Sequence, residues 1–258
     1  QLGVPDAMPD MKGCKFREWC GFSNLQQGHG AKASSIPFTP LDGTGFKVRS
    51  LGYVQSKRKT PSQSALYDCV GVKLLESDNT DELVEQECAK QLDNGNDDSS
   101  IPITFYVLVK LADSNKSLLF CFQRKVREDT TKHPSPLFAT FIAECNTYLD
   151  KNTLPPNRFK VVINDIDGLN NPIEKGLAKK PVIIHKHGHF KPIHGMPVIT
   201  IDMDLFRFRS RVTEQNLTKS LSQCKFDVGF VIQGNTDEEL PERMLGLSLI
   251  HISEPTRL

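Results

Sequence analysis

The stretch that decides the fold runs from residue 101 to residue 125. It reads Ile101-Pro102-Ile103-Thr104-Phe105-Tyr106-Val107-Leu108-Val109-Lys110-Leu111, then a polar joint through Asp113-Ser114-Asn115-Lys116, then Ser117-Leu118-Leu119-Phe120-Cys121-Phe122-Gln123-Arg124-Lys125. Two apolar runs rich in β-branched and aromatic residues, separated by a short turn-forming segment, predict a β-hairpin. Neither run approaches the roughly 20 apolar residues that a membrane-spanning helix needs.

Outward from this hairpin the same signals recur. Phe46–Val54 begins with apolar and polar residues alternating, and Tyr67, Val70, Val72 and Leu74 mark a second strand over 65–75. Further strands are expected at 159–164, 181–186, 197–205 and 226–233. Leu83, Val84, Cys88 and Leu92 form one helical stripe over 81–92, with Asp81 and Glu82 in the first turn. Ser135-Pro136 is a helix start, and Leu137, Phe138, Phe141, Ile142, Cys145, Tyr148 and Leu149 follow at helical spacing until Leu154-Pro155-Pro156. A short helix is expected over 213–223, and the acidic stretch 93–100 reads as a loop. Hairpins dominate over strand–helix–strand spacing, so the expected fold class is α+β: a largely antiparallel β-sheet with a few packing helices, in a single domain.

The ends differ from the middle. Residues 1–45 are rich in Gly, Pro, Ser and Gln and read as an irregular arm, with one candidate anchor around Trp19. Residues 247–258 (Leu-Ser-Leu-Ile-His-Ile-Ser-Glu-Pro-Thr-Arg-Leu) resemble the translation of a transposon-derived sequencing adapter, so the domain proper is expected to cover 46–246 and the last twelve positions to be a non-native tail. The chain opens on Gln1 rather than Met, so the lack of a visible targeting segment carries little weight.

The 258 residues carry a net charge of +1, so no global field recruits nucleic acid, and any basic site is local. Seven cysteines are scattered without a CxxC pair, as expected of buried free thiols in a reducing, intracellular compartment. The sequons at Asn115 and Asn216 then have no meaning.

Several blocks resemble, in order, the C-terminal domain of the plant enhanced-disease-resistance-2 family. They are Phe46-Lys47-Val48-Arg49 with Tyr53, Lys59 and Pro61; Asn157-Arg158-Phe159-Lys160; Pro181-Val182-Ile183-Ile184 leading to Ile201-Asp202-Met203-Asp204; and Phe226-Asp227 through Glu239-Leu240-Pro241-Glu242-Arg243-Met244-Leu245-Gly246. The last block is the most specific. A Gly-Pro-Trp segment of the family is missing, although Gly168 is placed to keep its turn, and 77–100 reads as an insertion. In related proteins the domain often follows pleckstrin-homology and START lipid-binding domains. The resemblance therefore implies a non-enzymatic, lipid- or membrane-associated regulatory module, cytoplasmic or peripheral to a membrane. It brings no active site with it.

Four groups of residues could carry a site or a local structure. Lys57-Arg58-Lys59 follows Tyr53 in an expected hairpin turn, where a compact cationic triplet contacts anionic lipid headgroups with about 1 kcal/mol per charge; a solvated turn is the plainer alternative. His185, His187 and His189 would share one face of a strand and could bind zinc as a hydrolase centre, with His194 beyond; solvated histidines on a basic loop are the alternative. Asp202 and Asp204 share a face as well, available for acid–base work or for pairing with Arg207, Arg209 and Arg211. Asp237-Glu238-Glu239 reads as a helix start capped by Thr236 or Asp237. No G-x-S-x-G, P-loop or strand-to-helix G-x-G-x-x-G is present, and no cofactor is expected. An apolar cavity between a curved sheet and the 135–151 helix would supply the pocket for a bound lipid. A protein-interaction scaffold with a filled core is the second reading.

Overall fold

The computed structural model describes residues 31–90, 102–111, 115–125, 136–167, 181–203 and 225–251. Two open sheets face each other. The first has six strands in the order β1 (Lys32–Ser35), β5 (Tyr67–Glu76), β7 (Lys116–Arg124), β6 (Thr104–Lys110), β11 (Met196–Asp202) and β10 (Gly188–Ile193). The second has five, in the order β2 (Phe38–Pro40), β13 (Met244–His251), β12 (Lys225–Ile232), β8 (Phe159–Asp167) and β9 (Val182–Ile184). A small hairpin, β3 (Lys47–Arg49) with β4 (Lys59–Pro61), stands apart from both. Among the described residues every strand pairing is antiparallel except β6 with β11, which run parallel. The chain is thus mostly β, with helices α1 (Tyr53–Ser56), α2 (Thr80–Ala89) and α3 (Pro136–Asn146).

β6 and β7 pair antiparallel, as the hairpin reading expects, and their apolar character on both sides has a structural cause: both strands are buried on both faces. Phe105, Val107, Leu118, Phe120 and Phe122 point to the second sheet, while Tyr106, Leu108, Leu119 and Cys121 point to the opposite side and pack with Leu83, Val84 and Cys88 of α2. A bulge between Cys69 and Gly71 of β5 shifts the alternation, so that Cys69 and Val72 both face the inter-sheet core. A continuous run of rings fills that core. Tyr67 meets Phe105 edge-on at 4.7 Å, Phe105 stacks on Phe122 at 4.8 Å, and Phe230 links Phe122 to Phe159 at 5.6 and 5.8 Å. Phe159 stacks on Phe141 of α3 at 5.8 Å.

A third cluster lies on the outer face of the second sheet, where Phe46, Val48 and Ala65 cover Val231, Met244 and Leu247. The β3–β4 hairpin is therefore rooted on the outside of this sheet.

Some expectations change. Residues 32–35 and 38–40, read as irregular, are edge strands; segments of three and four residues are too short to display a period. Residues 247–251, set aside as a foreign tail, continue β13 between β12 and β2, with Leu247 and Ile250 fully buried. Alternating Leu, Ser, Leu and Ile suit a half-buried strand whatever their origin. The strand expected over 46–54 stops at Arg49 because Gly52 takes a left-handed φ of 66° and starts a helical turn. The Trp19 anchor, the 93–100 loop, Gly168 and the 213–223 helix lie outside the described residues.

Candidate functional site

Three of the four blocks, far apart in the sequence, meet at one end of the second sheet. Arg158 sits just before β8 and its side chain is only 4% exposed. Its Nε and Nη2 donate to the two oxygens of Glu144 on α3, both at 2.6 Å. Its Nη1 and Nη2 donate to Glu239 at 2.7 and 2.8 Å, and Nη1 also donates to the Gln233 carbonyl at 3.0 Å. All five guanidinium donors are engaged, which is the condition for burying this group cheaply. Hydrogen bonding to Glu239 raises the pKa of Arg158 further above its ordinary value, and the same contact lowers that of Glu239.

Two residues on, Lys160 projects from the outer face of β8. Its ammonium donates to both oxygens of Glu242 at 2.8 Å, and both side chains are buried. Burial lowers the Lys160 pKa, and Glu242 opposes the shift. Glu242 also accepts from the Gly234 and Arg49 backbone N–H groups, while Arg49 donates to the Gly234 carbonyl at 3.0 Å and lies 3.6 Å from Glu242. The acidic stretch before Pro241 therefore does not open a helix. It makes one 3-10 turn, Asp237–Glu239, with no side-chain cap from Thr236, and then an extended Leu240 and a cis Leu240-Pro241 bond. Glu239 and Glu242 are consumed by Arg158 and Lys160 rather than by a helix dipole.

Arg49 joins this buried network to an exposed tip. The chain leaves β3 at Arg49, makes the α1 turn, and returns along β4. The tip is held by its own backbone: Tyr53 N–H to Ser50 O at 3.1 Å, Ser56 N–H to Gly52 O at 3.0 Å and Lys57 N–H to Tyr53 O at 2.9 Å. The Ser50 hydroxyl donates across the loop to Arg58 O at 2.9 Å. The Arg49 guanidinium lies over the Tyr53 ring at 4.8 Å, and the Lys57 ammonium is 5.7 Å from the ring centre. Lys57, Arg58 and Lys59 are all exposed where the chain leaves the α1 turn and enters β4. Beside them Leu51 is 70% exposed and Val54 47% exposed, a pair that sequence reading passed over. A Gly between two apolar residues in a run free of acids was the available signal.

The blocks that converge here are those of a known family. The family model described as Protein ENHANCED DISEASE RESISTANCE 2, C-terminal matches residues 38–253. The chain belongs to that family. It is a domain family of unknown function. No curated protein matches the chain, and no solved structure does. Within this enhanced-disease-resistance-2 C-terminal domain, the opening motif supplies Arg49, the Arg-Phe-Lys motif supplies Arg158 and Lys160, and the closing motif supplies Glu239 and Glu242. The closing glycine has a packing role: a Cβ on Gly246 would stand 2.5 Å from the Phe122 ring.

The other candidates do not assemble. β9 ends at Ile184 and β10 begins at Gly188, so His185 and His187 fall in the turn between them and only His189 is on a strand. The turn is tight because Leu154 N–H bonds to both the His185 and Gly188 carbonyls, and a Cβ at Gly188 would lie 2.7 Å from Ile184. His185 Nδ1 is 2.6 Å from the Leu154 carbonyl. Burial lowers the His189 pKa. Among the described residues no group of three or more His, Cys, Asp and Glu side chains could hold a metal ion. Asp204, Arg207, Arg209 and Arg211 lie outside the described residues, so the carboxylate pair with Asp202 is not described. The space between α3 and the sheets, where a lipid cavity was expected, is occupied by Phe138, Phe141, Phe105 and Tyr67 in ring-to-ring contact. Among the described residues no helix is long and apolar enough to cross a membrane.

Proposed function

We propose that this domain is a non-enzymatic module that docks on an anionic lipid surface through the β3–β4 hairpin, and that it works beside attached lipid-binding domains such as the pleckstrin-homology and START kinds. One observation carries this reading: Lys57, Arg58 and Lys59 stand exposed on a tip whose base is fixed to the family's buried charge network. From Lys47 to Pro61 the chain holds five basic residues and no acidic one. Near an acidic leaflet each such charge contributes about 1 kcal/mol, so a triplet is worth roughly a hundredfold in partitioning. The ring-filled core argues for a surface site over an internal lipid pocket.

The test is co-sedimentation of the chain with vesicles of phosphatidylcholine alone or mixed with phosphatidylserine. Binding only to the anionic vesicles, reduced roughly a hundredfold by changing Lys57, Arg58 and Lys59 together to Gln, supports the reading. Equal or absent binding to both vesicles defeats it.

The scaffold reading keeps one specific support. The core is filled, and β9, at the edge of the second sheet, exposes Val182 and Ile183. Failure on both vesicles, with a protein partner that is lost on changing Ile183 to Lys, would favour it.

A further inference from the structure

Resting on the lipid-surface reading, we infer that the hairpin tip is a bilayer-inserting wedge: Leu51 and Val54 enter the boundary between headgroups and acyl chains while Lys57, Arg58 and Lys59 engage the lipid phosphates. A purely electrostatic site would need only the cations. This tip carries something more. Among the described residues, Leu51 and Val54 are the two most exposed of the large apolar side chains, and they lie three positions apart on one turn. Single exposed apolar residues are ordinary on a protein surface; two of them in one loop, flanked in sequence by Arg49 and by Lys57, Arg58 and Lys59, match the chemistry of an interfacial anchor.

The geometry also limits where these side chains can go. Gly52 in the left-handed region reverses the chain, and the bonds among Ser50, Gly52, Tyr53, Ser56, Lys57 and Arg58 close the turn. The tip is therefore preformed, and little ordering entropy is lost when it docks. Tyr53, between the Arg49 and Lys57 cations, places an amphipathic ring at the level where tyrosines collect in bilayers. One acidic group from another element meets the loop: Asp237 Oδ2 is 3.5 Å from Gln55 Nε2. Nothing acidic in the run from 47 to 61 opposes approach of the apex to an anionic surface.

The experiment uses the full chain. Trp19 is the single tryptophan, so Trp19→Phe gives a silent background, into which Leu51→Trp places a reporter at the apex. Vesicles of phosphatidylcholine and phosphatidylserine are added, with and without brominated acyl chains. Insertion predicts a blue shift of the emission and strong quenching by the brominated lipid, both surviving salt added after docking. In the unlabelled chain, Leu51→Ser and Val54→Ser should each weaken partitioning by roughly tenfold, with the fold unchanged because neither side chain is buried. Binding with unshifted, unquenched emission, reversed completely by salt, overturns the wedge and leaves the electrostatic site standing. Failure of the parent chain to bind the anionic vesicles at all overturns both.

Discussion

Arg158 and Glu239, 81 positions apart in the chain, meet in two hydrogen bonds of 2.7 and 2.8 Å. Glu144 takes two more donors of the same guanidinium, so the pair ties α3, the start of β8 and the 237–239 turn to one point. A buried charge held this way is costly to strand. Arg158→Met should destabilise the chain by about 3 kcal/mol in urea unfolding, because two carboxylates lose their partner. Arg158→Lys should recover only part of the loss, since an ammonium cannot make both bidentate contacts.

The same pair sets an acid limb. The Glu239 pKa is lowered in the fold, first by its hydrogen bond to Arg158. Its stabilisation is therefore fully present above the ordinary carboxylate value of 4.5 and is lost as pH falls through the lowered folded value. Glu239→Gln should flatten the decline in stability between 4.5 and that lowered value. An unchanged acid limb in the variant would show that Glu239 does not set it.

A second limb lies at alkaline pH. Burial pushes the Cys69 and Cys88 thiols up from 9.0 to about 12. With the folded value raised, the contribution is complete below pH 9 and is lost between about 9 and 12 as the unfolded thiolates form. Stability measured by denaturant should fall across that window, and Cys88→Ala should lessen the slope while removing some packing with Leu83, Val84 and Tyr106.

Gly246 and Gly229 offer a paired comparison. A Cβ at Gly246 would meet the Phe122 ring at 2.5 and 2.6 Å, and that ring is fixed between Phe105 and Phe230. A Cβ at Gly229 would meet the terminal methyl of Met244 at 2.5 Å, which a rotamer change can move, although Leu247 follows at 3.0 Å. Gly246→Ala should cost about 1–3 kcal/mol by overpacking, and Gly229→Ala should cost less. Thermal unfolding of the two variants reads the order directly.

What could be read from the sequence was local. The 101–125 hairpin announced itself because both strands are buried on both faces and so are apolar throughout. Helix α3 was legible from Leu137, Phe138, Phe141 and Cys145, which all enter the core. The basic triplet was legible because its three charges are contiguous. What was hidden was long-range. Nothing near Glu239 or Glu242 indicates that their partners are Arg158 and Lys160, so an acidic stretch that pairs across the fold looked like a helix start. The histidines looked like a strand face because alternation at 185, 187 and 189 is a strand pattern; the Leu154 backbone contacts that fold 185–187 into a turn come from thirty positions away. The exposed pair Leu51 and Val54 lay in a run expected to be a strand, where apolar residues point inward by default.

The last strand gives a strong test of how much the final residues matter. β13 lies between β12 and β2, and it buries Leu247 and Ile250 completely. A chain ended at Gly246 would lose both side chains, about 3–6 kcal/mol of burial, and leave five of the seven β12 residues that pair with β13 without a neighbour on that edge. That is comparable with the whole stability of many domains, about 5–15 kcal/mol. The shortened chain should be recovered largely unfolded or aggregated, whereas a chain ended at His251 should retain a cooperative transition.

The coupling between the buried network and the exposed tip can be probed without lipid. Lys57, Arg58 and Lys59 are three adjacent trypsin sites, yet cleavage requires the hairpin to open locally. Arg49 is the side chain that spans root and tip: it bonds the Gly234 carbonyl, lies beside Glu242 and covers Tyr53. Arg49→Met keeps much of the stem packing and removes these polar contacts. Glu242 stays neutralised by Lys160, so no buried charge is stranded and the global cost should be only about 1 kcal/mol. Opening of the hairpin should become easier by a similar amount, so cleavage after residues 57–59 should accelerate roughly five- to tenfold while other sites change little. Mass spectrometry of a timed tryptic digest separates the two. Faster cutting confined to the tip means that the network positions the hairpin; uniform acceleration, or none, means that the tip stands on its own backbone bonds.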